Sequence, residues 1–559
     1  MPFLALIGLP LIPPWTELRP FVVELWLIAA IIAVLLTPFF VRKPNVATGL
    51  VALTGLFLAL VSLIVVGADA TGANARFGGM LVSDHFAVLW KALLLVFASG
   101  IILMWFSTTA DTMHEGDGPE FFTLFLGACL GMSLMSSTSN LLMLVMAVEL
   151  TSLPSYVLAG FRKTDRIGSE ASLKYVLFGA ATSSIMIYGI SMLYGIYGSL
   201  QVDQLAASVL ATFQANPTPG AYIPLVLALA GIIIGVGFKI SAVPLHFWCP
   251  DVFQGASIDV SAFLSVASKG AGLTLLLRVL MSLAHGLNYQ GEALVATAAV
   301  VGVIGAVTAT VGNSAALWQE NIKRMLAYSS IAHAGYMLCA LSMLVRAPGA
   351  NAPGGPENAA HAILLYLAVY MFMNLGAFTV AGLVARAPGG GENVADFADL
   401  GRRNPVLAAA MAIFMLSLVG LPPFAGFFAK LNVMIVLGNA SGWWWVLVAV
   451  IGVNTVVSLY YYVRVLRAMY LSSGREGARE TATVPLDAHP LGSALAVACA
   501  LMLLVMFFFF EPLSGLARRY ARLSLDRPTA PAAVAPNSAV APGVAPAGGG
   551  RVTIAAPGE

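Results

Sequence analysis

Long apolar runs separated by short polar segments fill most of the 559-residue chain. A helix that crosses a bilayer needs about 20 mostly apolar residues, because the hydrocarbon layer is about 30 Å thick and a helix rises about 1.5 Å per residue. The strands of a membrane barrel would instead alternate in short segments. We therefore predict an all-α, polytopic membrane protein. Its about fourteen transmembrane helices are expected at 21–41, 47–67, 86–106, 120–137, 139–160, 171–197, 221–246, 258–284, 293–312, 321–345, 360–386, 404–437, 443–470 and 490–512.

The composition agrees with lipid as the main solvent of the chain. Apolar residues make up 59% of the sequence and charged residues only 10%, with a mean hydropathy of +0.89. Soluble domains carry about 25% charged residues, because they need a wet surface. The net charge of +2 is small and forms no basic patch, so we expect no nucleic-acid partner.

Sequence motifs for redox cofactors are absent. The cysteines lie far apart and form neither a C-x-x-C pair nor a haem-attachment motif. No G-x-G-x-x-G follows a strand pattern, and there is no phosphate-binding P-loop. We therefore expect no cofactor and no metal on this chain. The four cysteines are Cys129, Cys249, Cys339 and Cys499.

Lysine and arginine residues in the loops predict the orientation, because they concentrate on the cytoplasmic side of membrane proteins. Before the last helix, the loops on the same side as the N-terminus hold only Arg19, Arg76 and Arg346. Both termini should therefore face outward, although the basic stretch 518–527 disagrees. The opposite loops hold Arg42, Lys43, Arg162, Lys163, Arg166, Lys323, Arg324, Arg386, Arg402, Arg403, Arg464, Arg467, Arg475 and Arg479.

Four ionisable residues lie deep inside apolar runs: Glu149, Lys239, Lys269 and Lys430. One charge at the centre of a membrane helix costs about 2.5–3.5 kcal/mol, so four facing lipid would cost roughly 10–14 kcal/mol. That is comparable to the stability of a whole domain, so these side chains must face the protein interior. Static ion pairs, or lysines that reach the membrane surface, are the alternative interpretation for each residue alone. For the set of one acid and three bases, each deep in its run, this alternative is less favoured.

Prolines accompany two of these charges. Pro244 follows Lys239 by five residues, and Pro422 and Pro423 precede Lys430. A broken helix persists in a membrane where it lines a cavity or water, and such breaks mark ion sites in transporters. The alternative is a simple packing kink. We predict two five-helix repeats with a broken helix as the third of each, and the repeats would be inverted because five is an odd number.

These features divide the chain into five parts. Three N-terminal helices occupy 1–119, and the two repeats occupy 120–284 and 293–470. A last transmembrane helix follows at 490–512. The Pro/Ala-rich segment 524–559 has too few apolar side chains to form a core, so it is predicted to be a disordered tail.

Three further residues are weaker candidates for the site. His333 and His246 lie in apolar stretches, and an unperturbed imidazole changes charge near physiological pH. A structural role is the alternative for each histidine. Lys174 lies only a few residues inside its run, where its long side chain can reach the membrane surface.

Six stretches of the sequence carry a family resemblance. They are ELTSLPSYVLAGF at 149–161, SEASLKYVLFGAATSSIMIYGISMLYG at 169–195, GFKISAVPLHFWCPDVFQGA at 237–256, NIKRMLAYSSIAHAGY at 321–336, LSLVGLPPFAGFFAK at 416–430 and SLYYYVRV at 458–465. With these stretches the chain resembles the antiporter-like membrane subunits of bacterial NADH-quinone oxidoreductase, respiratory complex I, and subunit N in particular. It is more distantly similar to subunits of sodium/proton antiporters.

The resemblance implies a fold of fourteen helices with two inverted repeats and a polar axis at mid-membrane. It implies a proton-channel role for Glu149, Lys239, Lys269 and Lys430, and it places His333 between two half-channels. The implied function is proton translocation coupled to electron transfer from NADH to quinone. NADH, FMN, iron–sulfur clusters and quinone would bind to other subunits of the enzyme, and other membrane subunits would be the partners.

One departure from the family and two alternative functions stay open at this point. Asp259 stands where the family usually has Pro or Thr, which adds an acid near the start of the Lys269 helix. A cation/proton antiporter subunit without redox chemistry would carry the same membrane charges. A membrane scaffold with static ion pairs is a further alternative of a different class.

Overall fold

The computed structural model describes residues 14–69, 74–162, 164–214, 219–286, 292–345, 356–387, 389–440, 442–471 and 490–525. Helices make up nearly all of this part of the chain, which confirms the predicted all-α class. The predicted disordered tail at 524–559 lies, apart from its first two residues, outside the described residues.

The N-terminal part contains a short antiparallel hairpin. Its helices and strands are α1 (Trp15–Leu18), α2 (Val22–Leu36), α3 (Pro44–Asp69), β1 (Asn74–Arg76), β2 (Leu81–Ser83) and α4 (His85–Thr108). In the hairpin, Asn74 pairs with Ser83. The next helix begins directly afterwards, because the Asp84 carboxylate accepts a hydrogen bond of 2.9 Å from the Ala87 backbone N–H and caps α4.

The described residues of the central part form eight α-helices, two of which make one continuous rod. They are α5 (Gly118–Met135), α6 (Leu141–Ala159), α7 (Arg166–Tyr197), α8 (Val202–Gln214), α9 (Pro219–Ile240), α10 (Trp248–Gly255), α11 (Ile258–Phe263) and α12 (Lys269–Gly286). A π-helical turn at Leu264–Ser268 joins α11 to α12. Asn140 and Asp165 cap the starts of α6 and α7 through their side chains. Gly198 ends α7 in the left-handed conformation, with φ at +67°.

Nine α-helices lie in the described ranges of the C-terminal part. They are α13 (Glu292–Ala316), α14 (Ile322–Leu341), α15 (Pro356–Arg386), α16 (Leu400–Arg403), α17 (Pro405–Val419), α18 (Ala425–Gly438), α19 (Trp444–Leu471), α20 (Pro490–Phe508) and α21 (Phe510–Leu525). Asn321 and Asn404 accept backbone hydrogen bonds and cap α14 and α17. Short 3₁₀ turns lie at Arg19–Phe21, Thr37–Phe39, Ala110–Thr112, Ser342–Val345 and Val394–Phe397.

Twelve helical segments of the described chain are long and apolar enough to cross a membrane. They coincide with twelve of the fourteen predicted windows, which confirms a polytopic membrane protein. The window 321–345 corresponds to α14, whose many polar side chains face other helices rather than lipid. The window 404–437 corresponds to the two shorter apolar helices α17 and α18. A count of fourteen crossings in two inverted repeats stays a prediction.

The predicted position of the helix breaks within each repeat is wrong by one helix. The third windows, 171–197 and 360–386, correspond to the unbroken helices α7 and α15. The breaks lie instead in the fourth windows, between α9 and α10 and between α17 and α18. Pro244, Pro422 and Pro423 lie in these connections, where they cannot continue a helix. The interiors of α7 and α15 contain no proline.

Two helical segments form the centre of the protein. The α11–α12 rod and α15 are each buried over 94% of their apolar windows, whereas α7, α13 and α19 are buried over only 33%. The outer faces of these peripheral helices expose apolar side chains such as Leu177, Val303 and Val456. Because lipid replaces water around such faces, polar groups collect in the interior.

Candidate functional site

The three predicted lysines are buried and the predicted glutamate is half-buried. Lys239 in α9, Lys269 in α12 and Lys430 in α18 are 2%, 1% and 5% exposed. Glu149 lies in α6 at intermediate exposure. A buried ammonium group needs hydrogen bonds that replace those of water, and each lysine has at least one.

Lys239 contacts the helix that carries Glu149. Its Nζ donates a hydrogen bond of 3.1 Å to Ser152 Oγ. Ser152 follows Glu149 by three residues and so lies on the same side of α6, and the carboxylate interacts electrostatically with the ammonium. Among the described residues, Glu149 Oε1 is buried without a hydrogen-bond partner. A neutral hydroxyl therefore holds the ammonium, with a carboxylate nearby.

Lys239 also lies against the helix that carries Lys269. A Cβ atom on Gly272 of α12 would come within 3.4 Å of Lys239 Cγ. Since glycine has no side chain, the end of α9 can approach the α12 backbone closely. Where α9 ends, the Phe238 carbonyl accepts a hydrogen bond of 3.1 Å from Trp248 Nε1. The indole thus provides a hydrogen bond to a backbone carbonyl that the helix break leaves without an intrahelical partner. Inside a membrane protein such carbonyls need a partner, because no water is available.

Lys269 begins α12 directly after the π-helical turn, a distortion that is frequent at functional sites. Its Nζ donates a hydrogen bond to Ser330 Oγ of α14. It also donates to Cys249 Sγ of α10 at 3.3 Å. The centre of the Phe253 ring lies 5.5 Å from the ammonium, within the range of a cation–π contact. Lys269 therefore connects α10 and α14.

Contacts near the two ends of the α11–α12 rod place Lys269 near the middle of the rod. Near the first end, Asp259 accepts a hydrogen bond of 3.1 Å from Thr109, just after α4. Near the other end, Arg278 forms an ion pair of 2.8 Å with Asp84, which caps the start of α4. Lys269 is ten residues from the first contact and nine from the second, or roughly 14–15 Å along a helix. This is about half of the 30 Å hydrocarbon thickness.

Helix α14 presents a row of polar side chains to the interior. Ser329, His333 and Tyr336 are spaced by four and three residues, so they share one helix face. The Tyr462 hydroxyl of α19 lies 2.5 Å from Ser329 Oγ and 3.3 Å from His333 Nε2. His333 Nδ1 lies 2.6 Å from the Tyr366 hydroxyl of α15. Three helices therefore share one connected network of hydroxyls and an imidazole.

Lys430 lies at the far end of this row. Its ammonium is 5.0 Å from the centre of the Tyr336 ring, and its Nζ donates a hydrogen bond of 2.8 Å to the Val419 carbonyl. Val419 is the last residue of α17, and the carbonyls of a last turn lack intrahelical partners. Gly420 then turns the chain with φ at +86°, a conformation that favours glycine. The helix break therefore creates the acceptor for Lys430.

A group of amide and hydroxyl side chains adjoins Tyr336 and extends the network. Asn313 of α13 donates hydrogen bonds to the Tyr336 hydroxyl at 2.8 Å and to Asn454 Oδ1 at 3.2 Å. The Tyr461 hydroxyl donates to Asn313 Oδ1 at 2.9 Å. These groups can both donate and accept hydrogen bonds. Within the described ranges, no cluster of three or more His, Cys, Asp or Glu side chains could hold a metal ion.

Lys174 lies apart from this network. It is partly exposed and pairs with Asp251 at 2.8 Å and with Glu170 at 2.9 Å. Asp251 also pairs with Arg324 at 2.8 Å. These partly exposed ion pairs connect α7, α10 and α14.

The remaining predicted residues lie in the helix breaks. His246 is 7% exposed in the connection between α9 and α10, with its ring 4.6 Å from that of Phe247. Pro244 lies in the same connection, and Pro422 and Pro423 lie between α17 and α18. The prolines shape the breaks but offer no side-chain group that carries a proton.

Two buried ion pairs are missing from the predicted site. Lys91 Nζ lies 2.7 Å from Glu24 Oε1, to which Ser133 Oγ donates a hydrogen bond of 2.5 Å. The second is the pair of Asp84 and Arg278, both 3% exposed. The sequence signal that identified Lys269 was a charged residue inside a predicted transmembrane window. The same signal applies to Glu24, Lys91 and Arg278.

Comparison with known proteins identifies the family. A family model described as NADH:quinone oxidoreductase/Mrp antiporter, TM, matches residues 138–457, more than half of the chain. NADH-quinone oxidoreductase subunit N 2 of Sorangium cellulosum is 42% identical over 452 residues, 80% of this chain and 85% of that protein. The chain belongs to the subunit N family. Subunit N of Rhodospirillum rubrum is 36% identical over 490 residues, 87% of this chain and 93% of its own.

Solved structures agree with membership in the subunit N family. A chain of respiratory complex I from Thermus thermophilus with bound aureothin has a TM-score of 0.69 at 31% identity, covering 89% of this chain and 99% of that one. A chain of the Mrp complex from Dietzia has a TM-score of 0.74, covering 92% of this chain and 98% of that one. Its identity of 18% means that this likeness shows the fold alone.

Proposed function

We propose that the chain is a proton-translocating membrane subunit of a bacterial NADH-quinone oxidoreductase. In this proposal Glu149, Lys239, Lys269 and Lys430 carry the proton through the middle of the membrane, and His333 joins the last two lysines. The observation that carries the proposal is the set of polar side chains on α14 between the two lysines: Ser330 bonds to Lys269, and the row of Ser329, His333 and Tyr336 ends beside Lys430. A dry scaffold would instead fill the space between these lysines with apolar side chains.

The first step depends on the charges of Glu149 and Lys239. Burial disfavours the charged form of an amine, and a nearby carboxylate favours it. Movement of the Glu149 carboxylate toward or away from Lys239 therefore loads or releases a proton. The Ser152 hydroxyl, 3.1 Å from Lys239 Nζ, accepts a hydrogen bond from the ammonium and can donate one to the neutral amine.

The second step moves the proton from Lys269 to Lys430. Ser330 contacts the Lys269 amine, and Ser329 beside it contacts the Tyr462 hydroxyl. A neutral imidazole such as that of His333 has one donor and one acceptor nitrogen, so it can take a proton on one side and release one on the other. The titrations of such neighbours are coupled. Each proton moves against about 2.3 kcal/mol per 100 mV of membrane potential.

The energy comes from electron transfer on other subunits. The relatives are named as subunits of NADH-quinone oxidoreductase, and we place NADH, FMN, iron–sulfur clusters and quinone on partner subunits. This chain then contacts the lipid bilayer and other membrane subunits of the complex. A cation/proton antiporter subunit is the second candidate, because the Mrp chain from Dietzia has the same fold.

Lys269→Ala in the assembled complex tests the proposal. Inverted membrane vesicles supplied with NADH and a soluble quinone report pumping through a pH-sensitive dye, and immunoblots give the amount of assembled complex. Loss of a positioned proton carrier slows its step by about 10²-fold or more, so pumping should fall by about tenfold or more. The matched control is Lys43→Ala, which changes an exposed lysine outside the path.

Two results decide between the candidate functions. Wild-type pumping by an assembled Lys269→Ala complex would overturn the proton path. Proton transport that a cation gradient drives without NADH, and that this variant abolishes, would favour the antiporter instead.

A further inference from the structure

A cavity of about 380 Å³ lies where the end of α4 meets the start of α5 and the end of α6. Its polar lining includes Thr109, Thr112, Asp117, Arg162 and Asp165. A water molecule in the liquid occupies about 30 Å³, so this cavity has room for several. The path from Lys239 to Lys430 does not use it.

Asp259 lies one hydrogen bond away from the wall of this cavity. The hydroxyl of Thr109, which lines the cavity, donates a hydrogen bond of 3.1 Å to Asp259 Oδ1. Asp259 is 0% exposed, and within the described part of the chain its Oδ2 has no hydrogen-bond partner. A buried carboxylate oxygen without a partner costs stability, so its presence requires a reason.

Helix capping does not provide that reason. Asp259 lies in the first turn of α11, where an acid can bond to free backbone N–H groups and stabilise the helix start. Its Oδ1 bonds instead to the Thr109 side chain of another element, and its Oδ2 meets no donor among the described residues. The carboxylate therefore does not cap α11, although its position in the first turn would allow this.

Three serine hydroxyls, those of Ser261, Ser265 and Ser268, lie between Asp259 and Lys269 on the same rod. Ser265 and Ser268 are both 0% exposed and belong to the π-helical turn. Ser268 Oγ has no hydrogen-bond partner among the described residues. Ser265 Oγ donates a hydrogen bond of 2.7 Å to the Ala262 carbonyl. Since a hydroxyl both donates and accepts, these side chains are candidate intermediate groups over the ten residues that separate the carboxyl from the amine.

We propose that Asp259 takes up protons for Lys269 from water in this cavity. A hydronium ion in the cavity gives its proton to the Asp259 carboxylate and leaves as water. Transfer to the Lys269 amine then forms a new N–H bond and restores the carboxylate. Thr109 is a positioning residue, because its hydroxyl orients the carboxylate and connects it to the cavity. This inference rests on the proposed function of the lysines.

Asp259→Asn is the first test, since it keeps the shape of the side chain and removes its ability to carry a proton. In the vesicle assay, pumping per assembled complex should fall by about tenfold or more, as expected for the loss of a positioned proton carrier. The matched control is Glu120→Gln, which neutralises an exposed acid at the start of α5 and should pump at the wild-type rate. Wild-type pumping by the Asp259→Asn complex overturns the proposal.

Thr109 provides a second test that leaves all charges unchanged. Thr109→Val removes the hydroxyl at nearly constant volume and should reduce pumping, whereas Thr109→Ser should restore a large share of it. A packing role predicts the reverse order, because valine fills the space better than serine. Infrared difference spectra on addition of NADH should also contain a carboxylic-acid carbonyl band that the Asp259→Asn complex lacks. A spectrum that keeps every such band contradicts the proposal.

Lys269→Ala distinguishes a failure of this inference from a failure of the proposed function. If Lys269→Ala stops pumping and Asp259→Asn does not, the role of Asp259 is refuted and the lysine path stands. If both variants pump at the wild-type rate, the lysine path itself is refuted.

Discussion

Replacing Gly420 with alanine should disable Lys430 without changing any ionisable group. A non-glycine residue at this φ of +86° costs about 1–2 kcal/mol. The new Cβ would lie 3.0 Å from Lys430 Cδ, and carbon atoms prefer about 3.5–4.0 Å. As the lysine retreats, Nζ loses its 2.8 Å bond to the Val419 carbonyl, which is worth about 1.5–3 kcal/mol for a charged donor. At about 1.4 kcal/mol per factor of ten, the productive position becomes roughly 10- to 150-fold rarer.

A matched glycine separates this effect from backbone strain. Gly198 ends α7 at a φ of +67°, and a Cβ there would meet no atom within 4 Å. Gly198→Ala therefore carries the backbone cost alone. NADH-driven pumping and the amount of assembled complex are measured for both variants in inverted vesicles. We expect a loss of about tenfold or more for Gly420→Ala and little change for Gly198→Ala. Equal pumping in the two variants would refute the geometric reasoning.

Two further predictions concern the carboxylates of Glu149 and Glu24 and the lysines near them. Glu149→Gln should lower pumping more than Glu149→Asp, which keeps the carboxylate, and equal losses in the vesicle assay would indicate that shape matters rather than charge. Lys91→Met should destabilise the subunit by about 3–5 kcal/mol, because it leaves the buried Glu24 carboxylate without its cation. Combining it with Glu24→Gln should recover most of that loss, measured as assembled complex and its thermal inactivation. A double variant as unstable as the single one would contradict this.

The helices were predictable from the sequence because lipid imposes one dominant pattern. The windows 86–106 and 490–512 lie within a few residues of the observed α4 and α20, since a span must stay apolar over its whole length. Hydropathy alone gives the window 404–437 as one run, because apolar residues continue on both sides of Pro422, and it was the prolines that indicated a break. Hydropathy records which solvent surrounds a residue, and it does not record where the backbone turns.

The burial of the candidate lysines was predictable from the sequence, and their hydrogen-bond partners were not. A lysine such as Lys269 is conspicuous because an ammonium in an apolar run is costly. The hydroxyls of Ser330, Tyr366 and Tyr462 carry no such cost, and nothing distinguishes them in the sequence from other hydroxyls of membrane helices. Their roles depend on distances between helices. Arg278, by contrast, was conspicuous in the sequence, and the structure shows it buried in an ion pair.

The two helix breaks hold their lysines in different ways, and under the proposed function this gives the path a direction. Lys239 has a side-chain hydroxyl as its acceptor and the carboxylate of Glu149 nearby. Lys430 has the backbone carbonyl of Val419 and the face of an aromatic ring. A carboxylate on a side chain can move and so switch the charge of its neighbour, whereas a carbonyl at the end of a helix is fixed by the backbone. The switch therefore lies at the Lys239 end, and Lys430 releases its proton in response to charge that arrives from Lys269.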